Sequence, residues 1–136
     1  MTSPEILKFL NEHPLCHLAT LESGKPRVRG MMMYRADEHG LLFHTGTGKA
    51  LSKQVQNGAP VEACFNSPDT QVRVSGTAGI VEDLELKKEI VAARPFMQPW
   101  VEQHGYGLLV VFRIVQAEAA VWTMAANFEP TTYRKI

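Results

Sequence analysis

The chain has 136 residues, is 45% hydrophobic and 21% charged, and its 14 basic and 14 acidic residues cancel. That balance argues against a general nucleic-acid or membrane-surface partner, and the length suits a single domain spanning 1–136. No apolar run approaches the roughly 18 residues of a bilayer-spanning helix, and the N-terminus lacks a signal-peptide pattern, so a cytoplasmic address is expected.

Ser3-Pro4-Glu5 reads as a helix start, with Ser3 as N-cap, and Ile6, Leu7, Phe9 and Leu10 form its apolar stripe up to Pro14. A strand is predicted over 15–21, a hairpin turn at Glu22-Ser23-Gly24-Lys25, and a second strand over 26–34. Residues 36–40 read as another turn and 41–45 as a third strand, a hairpin neighbour of the second. A helix that buries Leu51 and Val55 follows Gly48 and stops near Asn57-Gly58-Ala59-Pro60. Strands are predicted over 61–66 and 71–81, the latter carrying Gly76 and Gly79, which suggest a bulge or bend. A helix over 83–94 turns Leu84, Leu86, Ile90 and Val91 mostly inward, and a short irregular piece lies between Pro95 and Pro99. Strands over 108–115 and 117–122 close the sheet, and 124–136 reads as a loop-like tail. Six or seven short antiparallel strands with three inserted helices make a mainly β chain, closer to a small barrel than to a doubly wound sheet.

The cysteines, Cys16 and Cys64, lie in separate apolar runs and read as buried reduced thiols rather than a bridge or a metal site. Phe43-His44-Thr45-Gly46-Thr47-Gly48-Lys49-Ala50-Leu51-Ser52-Lys53-Gln54 carries more chemistry. An apolar strand runs into a Thr/Gly turn that opens a helix. Unpaired N–H groups, glycines that allow close approach, threonine hydroxyls and lysines four residues apart on one face suit an anion such as phosphate. The run is not a P-loop: Phe43 stands where the first glycine is required, and Ala50 where the magnesium-binding hydroxyl is required. Nor is it a dinucleotide fingerprint, because Leu51 replaces the third glycine.

In Pro26-Arg27-Val28-Arg29-Gly30, alternation puts Arg27 and Arg29 on one face and Val28 toward the core. The arginine fork suits phosphate, and the plain alternative is a solvated outer face. One cation about 4 Å from a phosphate gains on the order of 4 kcal/mol at an effective dielectric of 20, much of it offset by desolvation. His44 is a candidate ligand contact, the alternative being a strand-end histidine bonded to backbone. His17 fits a core or interface position. Of Met31-Met32-Met33 at least one is core, and another is available to line an adaptable pocket. His13, His39 and His104 fall in turns or loops without metal-ligand spacing.

Taken in order, Pro26-Arg27-Val28-Arg29, then Thr45 with Lys49 and Lys53-Gln54, then Val72-Arg73-Val74-Ser75-Gly76 resemble the pyridoxamine 5'-phosphate oxidase-like, FMN-binding split-barrel family. The resemblance runs from about residue 5 to 122. It implies a homodimer of split β-barrels with FMN at the subunit interface. Arg27, Arg29, Thr45, Lys49 and Lys53 would then hold the phosphate and ribityl chain, with His44 and Gln54 beside them. The strand through Val28, Gly30 and Met31 would run along the flavin ring by its backbone, with Gln71 near the ring. Trp122, as the partner's aromatic cover, is the candidate on that side, its alternative being a core or rim tryptophan. Relatives that oxidise pyridoxamine phosphate carry an Arg/His C-terminal segment, which Tyr133-Arg134-Lys135-Ile136 does not match, and Gly30 sits where close relatives often have proline. The implied function is thus an FMN-dependent oxidoreductase of a small planar substrate, with residues 95–104 as a water-excluding lid, and not a true pyridoxamine-phosphate oxidase. The alternative is a non-catalytic protein that binds or stores flavin, deazaflavin F420 or haem.

Overall fold

A computed structural model describes all residues, Met1–Ile136. Helix α1, Ser3–Glu12, buries Ile6, Phe9 and Leu10. Its N-cap is Thr2, one residue before the expected Ser3, because a capping box forms there. The Thr2 hydroxyl accepts from the Glu5 amide at 3.3 Å, and the Glu5 carboxylate accepts from the Thr2 amide at 2.6 Å. The helix is tied to the sheet by Asn11, whose side chain accepts from the Ala36 amide at 2.9 Å and donates to its carbonyl at 2.8 Å.

Eight strands form one antiparallel sheet: β1 Leu15–Glu22, β2 Lys25–Met32, β3 Arg35–Asp37, β4 Gly40–Gly46, β5 Pro60–Asn66, β6 Thr70–Ile80, β7 Leu109–Thr123 and β8 Arg134–Lys135. Their order is β2-β1-β5-β6-β7-β4-β3, with β8 added to β7. The predicted hairpin at Ser23-Gly24 is present, both residues having positive φ (51° and 77°), the conformation that matches strand twist. The second and third predicted strands are not hairpin neighbours. They become β2, at one end of the path, and β4, next to last at the other, because the expected turn at 36–40 is partly strand β3, which takes the end position beside β4.

The two end strands are nevertheless consecutive in the chain. Met33 donates its amide to Pro14 on the β1 side at 2.9 Å, and Tyr34 donates to Leu42 of β4 at 2.8 Å. The sheet therefore curls until its ends are joined by two residues of covalent chain instead of a hydrogen-bonded ladder. The result is a mainly β barrel left open along one seam.

Alternation on β4 serves two cores. Leu41 and Phe43 point into the barrel, where Phe43 stacks on Phe112 with ring centroids 5.4 Å apart. Leu42 faces outward and packs beneath α3, Leu84–Ala93, and α4, Gln98–His104. Leu84 is exposed instead of inward, since Asp83 takes the N-cap and Ile90 and Val91 supply the buried contact. The expected irregular piece is a 3-10 turn, Pro95–Met97, leading directly into α4.

The two expected closing strands are one continuous β7. The break foreseen between them is a bulge: Gln116 has φ 52°, and the register against β6 shifts between Ser75 and Thr77. The tail is not wholly loop either. β8 pairs with Glu118 and Ala119, Tyr133 donates its hydroxyl to Glu62, and Ile136 packs against the core. Cys16 is buried, with its thiol pushed up to about 12 by burial, and Cys64 is half-buried; both are free. No helix is long and apolar enough to cross a membrane.

A Cβ at Gly76 would stand 2.5 Å from the Val115 carbonyl oxygen and 2.8 Å from the Ile114 Cγ2. Gly76→Ala is expected to lower stability by about 1–3 kcal/mol through overpacking at the bulge. Gly79→Ala, whose Cβ would have ordinary contacts of 3.7 Å or more, is the control. Urea denaturation of both variants checks this; equal midpoints would contradict it.

Candidate functional site

β2 pairs with β1 alone, so its other edge presents unpaired backbone groups toward the seam. Two side-chain bridges cross the seam. Arg29 of β2 donates to the Gln54 side-chain oxygen at 2.6 Å, and Arg94, the C-cap of α3, ties the Met32 and Met33 carbonyls to His44 of β4.

Around the first bridge a polar cluster is built from β1, β2 and α2, Leu51–Gln54. Arg29 spends three of its five N–H donors inside the chain: on the Leu18 carbonyl at 3.0 Å, the Thr20 hydroxyl at 2.8 Å and Gln54. The Gln54 amide is fixed on both sides, accepting from Thr20 and Arg29 at 2.6 Å each and donating to Glu22 at 2.9 Å. Glu22 also accepts from Arg27 at 3.2 Å, so Arg27 is a paired, exposed arginine. Arg29 is half-buried and has no carboxylate partner, and burial lowers its pKa from the ordinary value. Two of its donors remain for an outside acceptor.

The faces of β2 are the reverse of the expected arrangement. Val28 is 68% exposed instead of core, while Arg27, Arg29 and Met31 share the inward side with buried Met33. An inward arginine is tolerated here because Thr20, Leu18 and Gln54 supply acceptors. Gly30 and Met32 lie on the outer side with Val28, and so does exposed His17, the cross-strand partner of Gly30.

The helix after Gly48 is a single turn, Leu51–Gln54, shorter than expected: it starts only at Leu51 and Val55 already leaves helical geometry, before the expected stop at Asn57-Gly58. The Thr47 and Lys49 amides are committed to the Leu108 and Gly46 carbonyls. Those two amides are therefore unavailable to an anion, which would meet the side chains and the remaining amides of the turn. Lys49 and Lys53 are exposed and make no ion pair.

His44 is bonded to Arg94, not to backbone: the guanidinium lies 2.6 Å from Nε2. A guanidinium only donates, so Nε2 is the unprotonated nitrogen and Nδ1 carries the hydrogen. Burial, reinforced by Arg94 and Lys49, brings the His44 pKa down from 6.5 to about 4. Thr45 is buried and, with His44 and Lys49, opens on a cavity of about 430 Å³ whose far wall is Phe96, Trp100 and Val101.

Within one chain, Gln71 and Trp122 belong elsewhere. They are cross-strand partners near the far end of β7, about 40 Å along that strand from Leu109, which lines the cavity. Gln71 donates to Asn66 at 3.1 Å, and the Trp122 indole donates to Asn127 at 2.9 Å. Thr20, Glu22 and Arg94 went unforeseen. Thr20 follows from alternation opposite Arg27, whereas nothing local marks Arg94, whose partners are 50 to 62 positions away.

An unsealed antiparallel barrel with uncompensated cations beside its seam defines a split-barrel protein. A family model described as pyridoxamine 5'-phosphate oxidase matches residues 2–126, and the chain belongs to that family. It is 29% identical over 117 residues to general stress protein 26 of Bacillus subtilis (strain 168), covering 81% of this chain and 80% of that one. The fold is shared with a NimC/NimA family protein from Clostridium acetobutylicum, at TM-score 0.75 and 22% identity over 98% of this chain and 92% of that one. It is also shared with an FAD and heme binding protein from Mycobacterium smegmatis, at TM-score 0.69 and 13% identity over 99% and 82%.

Gln54→Leu strips acceptors from Thr20 and Arg29 together and is expected to cost about 1–3 kcal/mol in chemical denaturation. The His44 pKa gives a pH signature. Between about 4 and 6.5 the unfolded chain binds a proton at this residue that the folded chain refuses, so stability falls as pH is lowered through that window. His44→Gln should flatten that part of the stability–pH curve, and the wild-type imidazole should read as neutral by NMR at pH 5.5.

Proposed function

We propose that the chain is an FMN-binding flavoprotein that acts as an oxidoreductase on a small planar molecule. The observation that carries this reading is Arg29: a half-buried guanidinium with two donors to spare and no carboxylate partner, beside an unpaired strand edge. Lys53 and Lys49 add uncompensated charge on the turn next to Gln54. These residues fit a phosphorylated, planar cofactor. Arg29, with Arg27 and Lys53, would take the phosphate. Thr45 and Lys49 would meet the ribityl chain, and the open edge of β2 through Val28, Gly30 and Met31 would bond the ring's polar rim. Bound FMN supplies reversible hydride and electron transfer; the chain supplies binding, orientation and exclusion of water. Membership of the pyridoxamine 5'-phosphate oxidase family supports the flavin, and the Mycobacterium smegmatis neighbour is itself described as binding FAD and heme. A haem reading gains nothing from the two suspected axial histidines, since His17 is exposed on the outer face and Nε2 of His44 is taken by Arg94.

The reading includes a second copy of the chain. Leu15, Val28 and Met32 lie on one outer face of β1 and β2 and are 66%, 68% and 49% exposed, an apolar patch of the kind that subunit pairing covers. Gln71 and Trp122 would reach the flavin only from that partner.

Purified protein should show flavin absorbance or take up FMN with a rise in melting temperature; a hundredfold excess over Kd adds about 2.7 kcal/mol. Arg29→Ala should weaken FMN at least about tenfold, as expected for a lost charge-assisted contact. Unchanged affinity in both Arg29→Ala and Lys49→Ala would overturn the site. Val28→Lys should shift sedimentation from dimer to monomer, and a monomeric wild type would remove the partner from the reading.

A further inference from the structure

The cavity beside Lys49 has a character of its own. It holds about 430 Å³, within the range of small-molecule sites. One rim carries Phe96 and Trp100, 62% and 54% exposed, large aromatic surfaces that a folded chain ordinarily buries. None of its lining residues is acidic, and Lys49 is its sole lysine or arginine. His44 lines it as well. With Nε2 occupied by Arg94, its Nδ1–H is a donor without a partner in the chain.

We infer that this cavity binds a planar aromatic carboxylate, with the ring against Phe96 and Trp100 and the carboxylate between the Lys49 ammonium and the His44 Nδ1–H. The aromatic rim selects a flat ring, because stacked or edge-on contact adds to simple burial. Among lining side chains that also include Thr45 and His104, the Lys49 ammonium and the His44 Nδ1–H match the two oxygens and single charge of a carboxylate; a phosphate dianion would call for the more strongly cationic ground near Arg29. The proposal deepens the flavin reading, on which it rests for the acid's role as the flavin's reaction partner, but binding is measurable without flavin. Phe96 and Trp100 have no part in the proposed flavin contacts, whereas Thr45 and Lys49 are shared with the proposed ribityl contact.

The test is calorimetric titration of the full-length protein with 2-naphthoate and with its neutral counterpart, 2-naphthalenemethanol, before and after FMN loading. Naphthoate should bind at one site per chain, at least tenfold more tightly than the alcohol. Trp100→Ala and Phe96→Ala should each weaken it fivefold or more while leaving FMN affinity and the circular dichroism spectrum unchanged. Equal affinity for acid and alcohol, no binding to folded protein, or indifference to both aromatic substitutions would overturn the inference. Complete expulsion of naphthoate by FMN would also overturn it, by making the cavity the flavin's own seat. If naphthoate binds as described and FMN does not bind, the pocket stands and the flavin reading falls. If FMN binds and naphthoate does not, the pocket alone falls.

Discussion

Two adjacent backbone amides, those of Met33 and Tyr34, bond to opposite ends of the same sheet. A sheet of this twist can be sealed by a ladder between its first and last strands, which would use every backbone group on both edges. Here the chain itself makes the join, and the amides of its two linking residues bond away from each other, to Pro14 and Leu42, so β2 and β3 do not fold back on one another as a hairpin. One edge of β2 is consequently left unpaired where it faces the turn after β4. An unpaired edge is ordinarily a liability that invites a neighbouring strand. In this molecule Arg29–Gln54 and Arg94–His44 bridge it, holding the gap at a fixed width without filling it.

The chain's zero net charge conceals this arrangement. The ion pairs sit mostly on outer surfaces, such as Lys8–Glu12, Arg35–Glu89 and Lys88–Glu85. Arg29, Lys49 and Lys53 are among the basic residues left out of them, and neither β2 nor the 47–54 turn contains an acidic residue, which leaves a local excess of positive charge there. Glu22 tempers that excess at Arg27 and, through Gln54, sets the rotamer of the amide that orients Arg29. The cluster is thus held in place by its own hydrogen bonds, an arrangement that would reduce the ordering cost of binding the proposed phosphate.

Local pattern made much of this legible. The Ser23-Gly24 hairpin and the glycine bulge at Gly76 follow from spacing and residue type, whereas grouping Gln54 with Arg29 came from the family resemblance. Three errors share one cause, the neglect of sheet order. Alternation tells which residues share a face but not which face is buried. Arg27 and Arg29 were rightly grouped, and Val28 was wrongly sent inward. The hairpin assumed between β2 and β4 ignored the short β3, whose three residues lie below the length at which periodicity speaks. Arg94 was invisible because its acceptors, the Met32 and Met33 carbonyls and His44, are brought to it only by the tertiary fold.

Arg94 also joins two parts that would otherwise move separately. It ends α3, which leads through the Pro95–Met97 turn into the helix bearing Trp100, and its guanidinium is anchored on the carbonyls at the join between β2 and β3. The helical wall and the covalent hinge of the barrel are therefore a single lever. Swinging that wall outward strains the anchor at Met32 and Met33, so the width of the gap and the tilt of the wall form one mechanical coordinate.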